Sequence, residues 1–409
     1  MKNEGLTPIP LRRVLTNCRI IDGRGGVLEK GFLIIEDSRI AWVGPVSEAP
    51  SCEGAEVWDL QGMSLLPGFI DTHVHLCLDG SSDPVTRVLS EPEALTSLRF
   101  AENAKRTLEA GITTVRDAGS KGHYCFAVRQ AIQERLILGP RLLLAGRAIC
   151  MTGGHGWWMG READGVDEVR KAAREELKAG ADFVKLMATG GIMTKGVEPG
   201  SPQLTYEELR AGVEEARKAG KRTATHAQGA EGIKNALRAG IDSIEHGLFL
   251  DEESIALMLE QGTFLVPTTF VLTIFLEKGV EGGIPDFMVK KAQAVRAPQV
   301  ESFRSAYKAG VKMAMGTDAG VYYFPHGQNL VELQTMVELG MAPMEAICAS
   351  TRVAAELLGL GDSLGTLEAG KLADLVVVEG NPLEDLRLLQ DKERIRHVFL
   401  EGRPVVRRP

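Results

Sequence analysis

Two histidines one residue apart, His73 and His75, close the run Pro67-Gly68-Phe69-Ile70-Asp71-Thr72-His73-Val74-His75. In a strand, successive side chains point to opposite faces, so both imidazoles share a face and Val74 points away. Side by side at a strand end, they form half of a site for a divalent cation. Alone, the pair also fits two solvated or hydrogen-bonded histidines, and its weight depends on what later strands bring. His226 follows Arg222-Thr223-Ala224-Thr225, His246 closes Ser243-Ile244-Glu245-His246, and Asp318 sits in Gly316-Thr317-Asp318-Ala319-Gly320. Taken singly, His246 reads as a hydrogen-bonded core histidine and Asp318 as a turn or N-cap residue. Lys185, inside Phe183-Val184-Lys185-Leu186, is harder to explain by packing. A lysine in a buried strand pays a desolvation cost unless it is paired or modified.

These residues need elements that converge. From Pro67 onward, short apolar segments alternate with amphipathic helices such as Asp167–Ala179 and Tyr206–Ala219. The joints resemble one another: Ala110-Gly111, Ala179-Gly180, Ala219-Gly220, Ala239-Gly240, Gln261-Gly262 and Ala309-Gly310 each precede an apolar run. Glycine suits the left-handed position that ends many helices, and the apolar run suits a buried parallel strand. Eight strands are expected, beginning near Leu65, Thr113, Arg141, Phe183, Arg222, Asp242, Thr263 and Lys312. That count fits an α/β fold, a (β/α)8 TIM barrel, better than an open doubly wound sheet. No glycine-rich phosphate fingerprint opens a helix after the first strand, which weakens the dinucleotide-binding alternative. Enzymes on this barrel keep their chemistry at the C-terminal strand ends. Strands one, four, five, six and eight each place a candidate there, so the joint reading outweighs its parts.

Residues 1–66 read as short strands and tight turns, including Asp22-Gly23-Arg24-Gly25-Gly26. The same texture returns over residues 365–409, with a closing hairpin around Glu401-Gly402-Arg403. The expected organisation is a barrel over residues 67–364 and one small composite β domain built from both termini.

At 409 residues, 44% hydrophobic and 25% charged, the composition is that of a globular enzyme. A formal charge of −8 and the lack of a basic run argue against a nucleic-acid partner. No apolar stretch approaches the length of a membrane span, and Met1-Lys2-Asn3-Glu4-Gly5 lacks a signal-peptide layout. Six scattered cysteines with no C-x-x-C pair point to reduced thiols and a cytoplasmic address.

Through the His73-x-His75 run, Lys185, His226, Ser243-Ile244-Glu245-His246-Gly247, Gly316-Thr317-Asp318 and the tail Ala369-Gly370-Lys371-Leu372-Ala373-Asp374-Leu375, the chain resembles the amidohydrolase superfamily over nearly its whole length. The resemblance implies two divalent metal ions, zinc foremost, bridged by a Lys185 carboxylated with CO2. It implies His73, His75 and Asp318 on one metal, with His226 and His246 on the other. It implies attack of a metal-bridged hydroxide on an amide carbonyl, with Asp318 as the catalytic proton carrier. Members often form homo-oligomers.

Within the superfamily, Met151-Thr152-Gly153-Gly154-His155-Gly156, Lys185-Leu186-Met187-Ala188-Thr189-Gly190-Gly191 and Pro325-His326-Gly327-Gln328-Asn329 look most like the group of dipeptidases, carboxypeptidases and ochratoxin amidohydrolases. By that likeness His155 would contact a substrate carboxylate, although a structural loop histidine remains an alternative. Gln228 stands where some members carry a carbonyl-polarising tyrosine, which puts prolidase-like specificity in doubt. Tyr322 and His326, with Tyr323, are expected on the pocket wall, and Arg116 and Asp117 in a supporting role. The expected substrate is a small molecule, a dipeptide or N-acyl amino acid. The alternatives are a cyclic amide, lactone or xenobiotic amide of the imidazolonepropionase or ochratoxin kind, and a non-catalytic scaffold.

Overall fold

The computed structural model describes residues 12–409. Residues 1–11, on which the expectation about a signal peptide rests, lie outside the described residues. In chain order the strands are β1 (Arg12–Ile21), β2 (Val27–Glu36), β3 (Arg39–Pro45), β4 (Glu56–Asp59), β5 (Ser64–Pro67), β6 (Phe69–Val74), β7 (Ile112–Asp117), β8 (Arg141–Leu144), β9 (Ile149–Cys150), β10 (Arg161–Glu162), β11 (Phe183–Met187), β12 (Arg222–Ala227), β13 (Ser243–His246), β14 (Phe264–Val266), β15 (Leu375–Val378), β16 (Ile395–Leu400) and β17 (Arg403–Arg407). Among the described residues no helix is long and apolar enough to cross a membrane.

Both ends of the chain build one mixed sheet, ordered β17-β16-β15-β5-β1-β2-β3 with β4 beside β1. Leu65, expected to open the first barrel strand, belongs to this sheet, opposite Val377 of β15 and beside Ile20 of β1. The first barrel strand starts at Phe69. Gly68 is the crossover: its N–H donates to Asp374 O at 2.7 Å, and a Cβ there would stand 2.1 Å from Thr113 Oγ1. Only glycine lets the backbone pass that close.

The barrel is an α/β structure assembled from two parallel arcs, β6-β7-β8 and β10-β9-β11-β12-β13-β14. Between the arcs, Asp182 N donates to Leu144 O at 2.8 Å. Opposite that junction, residues 312–319 close the ring as its eighth element. Leu265 N donates to Lys312 O at 2.9 Å, Thr72 N to Met315 O at 3.0 Å and His75 N to Ala319 O at 3.0 Å. The continuous strand expected from Lys312 is reduced to isolated bridges, Leu265 with Met313 and Val74 with Ala319. Its far end leaves extended geometry, with Asp318 at φ +62° and Gly320 at φ +107°.

The expected joints hold. Gly111, Gly180, Gly220, Gly240, Gly262 and Gly310 all have positive φ, each just after a helix. The helix Tyr206–Lys218 opens on a capping box between Thr205 and Glu208. Strands β6, β7 and β11 are buried along their whole length, as parallel strands covered on both faces must be.

Arg141 on β8 ties the barrel to the terminal sheet. It pairs with the buried Asp374, donates to Glu401 Oε1 at 2.9 Å and reaches Thr114 Oγ1 at 3.1 Å. Arg141→Ala leaves the Asp374 carboxylate buried without its counter-ion, a loss of about 3–5 kcal/mol. Urea unfolding at neutral pH should show a correspondingly lower midpoint, and an unchanged midpoint would remove this pair from the interface energetics.

Candidate metal centre and active site

Chain order brings the candidates to one mouth. His73 ends β6, Lys185 sits in the middle of β11, His226 lies near the end of β12, His246 ends β13 and Asp318 follows the eighth barrel element. His246 and Asp318 adopt φ +74° and +62°, conformations that non-glycine residues rarely take and that concentrate at functional sites. One nitrogen or oxygen from each of His73, His246 and Asp318 falls within 4.8 Å of the others. The His73 ring centroid is 5.2 Å from that of His246 and 5.4 Å from that of His75. His226 stands 4.5 Å from His246. The two ligand groups implied by the sequence are thus one continuous cluster.

Each ring is held by one nitrogen. His73 Nδ1 is 2.7 Å from Glu245 Oε2, His75 Nδ1 2.9 Å from Gly119 O and His246 Nδ1 2.7 Å from Thr268 Oγ1. With Nδ1 engaged, Nε2 of His73 and His75 is left facing Asp318 Oδ1, at 3.5 and 3.2 Å. Burial drives the His73 pKa down to about 3 and that of His246 to about 4, and lowers that of His226 well below the ordinary value. Burial also opposes charge on His75, but its hydrogen bond to Asp318 and that carboxylate's charge outweigh it and raise the pKa. Asp318 meets the opposite balance: burial favours its neutral form, but His75, His73 and His246 hold it far below the usual carboxylate range. Neutral His73, His226 and His246 and an ionised Asp318 are ligating forms, whereas His75 in the metal-free cluster is drawn toward the charged form by Asp318 and would give up that proton to a cation.

Lys185 is the anomaly. It is 1% exposed, and its Nζ has no hydrogen-bond partner among the described residues. Burial pushes its pKa down to about 8, against the pull of Glu245. An orphaned amine beside four imidazoles and a carboxylate fits a group that completes a cation site once converted to an anion. The donors are all nitrogen and oxygen, which suits zinc and other divalent ions.

Of the expected substrate contacts, His155 and Gln228 line the cavity. His155 stacks 4.2 Å from His226 and is fixed by Thr194 Oγ1 at 2.9 Å. Tyr322 and His326 do not line it. The chain after Asp318 turns back on itself, with Gly320 N donating to Phe324 O at 2.8 Å. That turn carries Tyr322 against Phe275 and sets His326 Nε2 3.2 Å from His75 O and 3.1 Å from Leu78 O. His326 therefore braces the backbone around His75.

Sequence reasoning gave no role to Glu245 and Asp71. Glu245, fully buried, accepts from Arg116 Nη2 at 2.7 Å and from Ser243 Oγ at 2.6 Å while it orients His73. Burial would favour its protonated form, but Arg116 and Lys185 hold it far below the usual range. Arg116 has the supporting role expected of it. Asp71 shares a strand face with His73, which was the available signal, and it accepts from Thr317 Oγ1 at 2.6 Å and Asn329 Nδ2 at 2.7 Å.

Comparison with known proteins agrees with this geometry. Residues 64–405 match the model of the Amidohydrolase family. Ochratoxinase of Aspergillus niger is 34% identical over 94% of this chain and 84% of its own length. A Xaa-Pro dipeptidase solved with methionine in its active site is 35% identical at a TM-score of 0.88, covering 97% of this chain and 100% of its own. A prolidase complexed with N-methylphosphonate-L-proline is 33% identical at a TM-score of 0.90, again over 97% and 100%. The chain belongs to the amidohydrolase family.

Glu245→Gln keeps the shape but removes the charge that orients His73 and neutralises Arg116. Affinity for a divalent cation should fall about 10–100-fold. Competition titration with a metallochromic chelator measures this, and unchanged affinity would leave Glu245 a purely structural residue.

Proposed function

We propose that this amidohydrolase hydrolyses the amide C–N bond of a dipeptide or N-acyl amino acid and releases a free amino acid. The observation that carries the reading is the unpartnered Lys185 Nζ among His73, His75, His226, His246 and Asp318 at the strand ends. Likeness to a Xaa-Pro dipeptidase, a prolidase and an ochratoxinase supports the bond type.

The lowered pKa leaves part of Lys185 as free amine near neutral pH, the form that adds to CO2 and loses a proton to become a carbamate. His73, His75 and Asp318 would hold one cation, His226 and His246 a second, and carboxylated Lys185 would be shared. Two bound cations, zinc foremost, supply Lewis acidity that lowers the pKa of water and polarises a carbonyl oxygen. Asp318, ionised and directed at the cluster, accepts a proton from the attacking water. As the C–N bond breaks, it passes that proton to the leaving nitrogen, while the water's oxygen stays on the acyl carbon. His155, at the rim of the cluster, offers a hydrogen bond to the carboxylate of the leaving amino acid. The similarity to ochratoxinase favours, as a second reading, a bulky xenobiotic amide of an amino acid. The six free cysteines support a reducing, cytoplasmic setting.

Metal analysis of the purified protein should find close to two divalent ions per chain. Lys185→Ala should lose metal and activity together, with partial rescue by short carboxylic acids; a fully active variant would overturn the reading. His155→Ala should raise KM for substrates with a free carboxylate at least tenfold while sparing their amidated analogues. Equal effects on both would remove His155 from carboxylate recognition.

A further inference from the structure

The cavity around the cluster has two lobes that meet at His155, Met193, His226, His246 and Asp318. A free dipeptide carries an α-ammonium two bonds from the scissile carbonyl carbon, so that charge must lie inside the cavity. Among the described residues the lining offers one carboxylate, Asp318, and it already faces Nε2 of both His73 and His75. Lys185, the one lysine of the lining among the described residues, repels an ammonium before modification and belongs to the cluster after it.

The lobe away from Lys185 is walled by Ile192, Met193, Leu248, Val271, Leu272 and Phe275. Apart from Asp318 at the junction with the cluster, its polar groups are neutral. Thr268 Oγ1 is taken by His246, and Gln299 Oε1 accepts from Arg296 Nη1 at 2.8 Å. That guanidinium faces the Glu332 and Glu338 carboxylates, so it is compensated by them and adds no free counter-charge for an ammonium in the lobe. Gln228 is 4% exposed, and its Oε1 is buried with no partner. A buried acceptor left open costs about 1–3 kcal/mol, and an N–H or O–H donor on a ligand would recover it. An unpaired ammonium in the same place would cost more, because it needs a counter-charge.

We infer that the acyl half of the substrate is uncharged: the enzyme acts on N-acylated amino acids in preference to dipeptides with a free α-ammonium, and Gln228 accepts a hydrogen bond from a neutral donor on that half. This rests on the proposed hydrolase reading and narrows its substrate class.

The test uses the metal-loaded enzyme and matched pairs that release the same amino acid and keep an N–H donor on the acyl half, N-acetylglycyl-phenylalanine against Gly-Phe and N-acetylalanyl-phenylalanine against Ala-Phe. At pH 7 kcat/KM should favour the N-acyl member by at least tenfold. The ratio should narrow as pH rises through about 8, where a dipeptide α-ammonium loses its charge. Taking the ratio cancels titration of the enzyme itself. Gln228→Glu, which places a carboxylate in the lobe, should shift the ratio at least tenfold toward the dipeptide. If that variant does not fold, Gln299→Glu and the wild-type pH dependence decide the matter. Equal or better use of free dipeptides at pH 7, with a ratio flat in pH, would overturn the inference while leaving the hydrolase intact. No amino acid released from either class would overturn both.

Discussion

The barrel has a seam, and one buried carboxylate holds it. Between β6 and residues 312–319 the ladder is irregular: Thr72 donates to Met315 O, Thr317 and Asp318 to His73 O and His75 to Ala319 O, with one isolated bridge at Val74. Asp71 ties the two segments together across this irregular ladder: it accepts from the backbone of His73 on one side and from the backbone and hydroxyl of Thr317 on the other. Burial pushes its pKa up to about 6 despite these bonds, so the anion is held at a cost that the seam recovers in order. Because the same carboxylate binds residues adjacent to Asp318 and His73, closing the barrel and spacing the cluster are one event.

Much of this could be read from the chain. A fixed period places His73 and His75 on one face, and the recurring glycine after each helix follows from a backbone conformation only glycine adopts cheaply. Those rules are local, so they survive without coordinates. What escaped depends on distant partners. Nothing near Leu65 shows that Val377 waits beside it, and the loop carrying Tyr322 and His326 turns away because of a contact between Gly320 and Phe324. Glu245 was visible next to His246, but its role needs Arg116 and His73, which only folding brings within reach.

Strands and loops divide the work around the mouth. Strand residues set the charge and spacing of the cluster, and their burial leaves little room to vary. The loop after β11 is held from outside: Lys291, on the helix Asp286–Ala309, donates to the carbonyls of Thr194 and Val197, and Thr194 in turn holds His155. The loop that fixes His155 is thereby referenced to an outer helix and not only to the strands that carry the cluster.

The sheet shared by the two chain ends also constrains how the molecule is made. β5 lies between β1, already synthesised, and β15, which leaves the ribosome only after the whole barrel. Until then one edge of β5 stays open, and the Arg141 side chain lacks Asp374. Such long-range pairing slows folding and leaves a partly closed chain with an exposed strand edge, the form most prone to aggregate or to need a chaperone. Strands β15 to β17 are therefore a clasp, and the nascent barrel reaches its final stability only when they arrive.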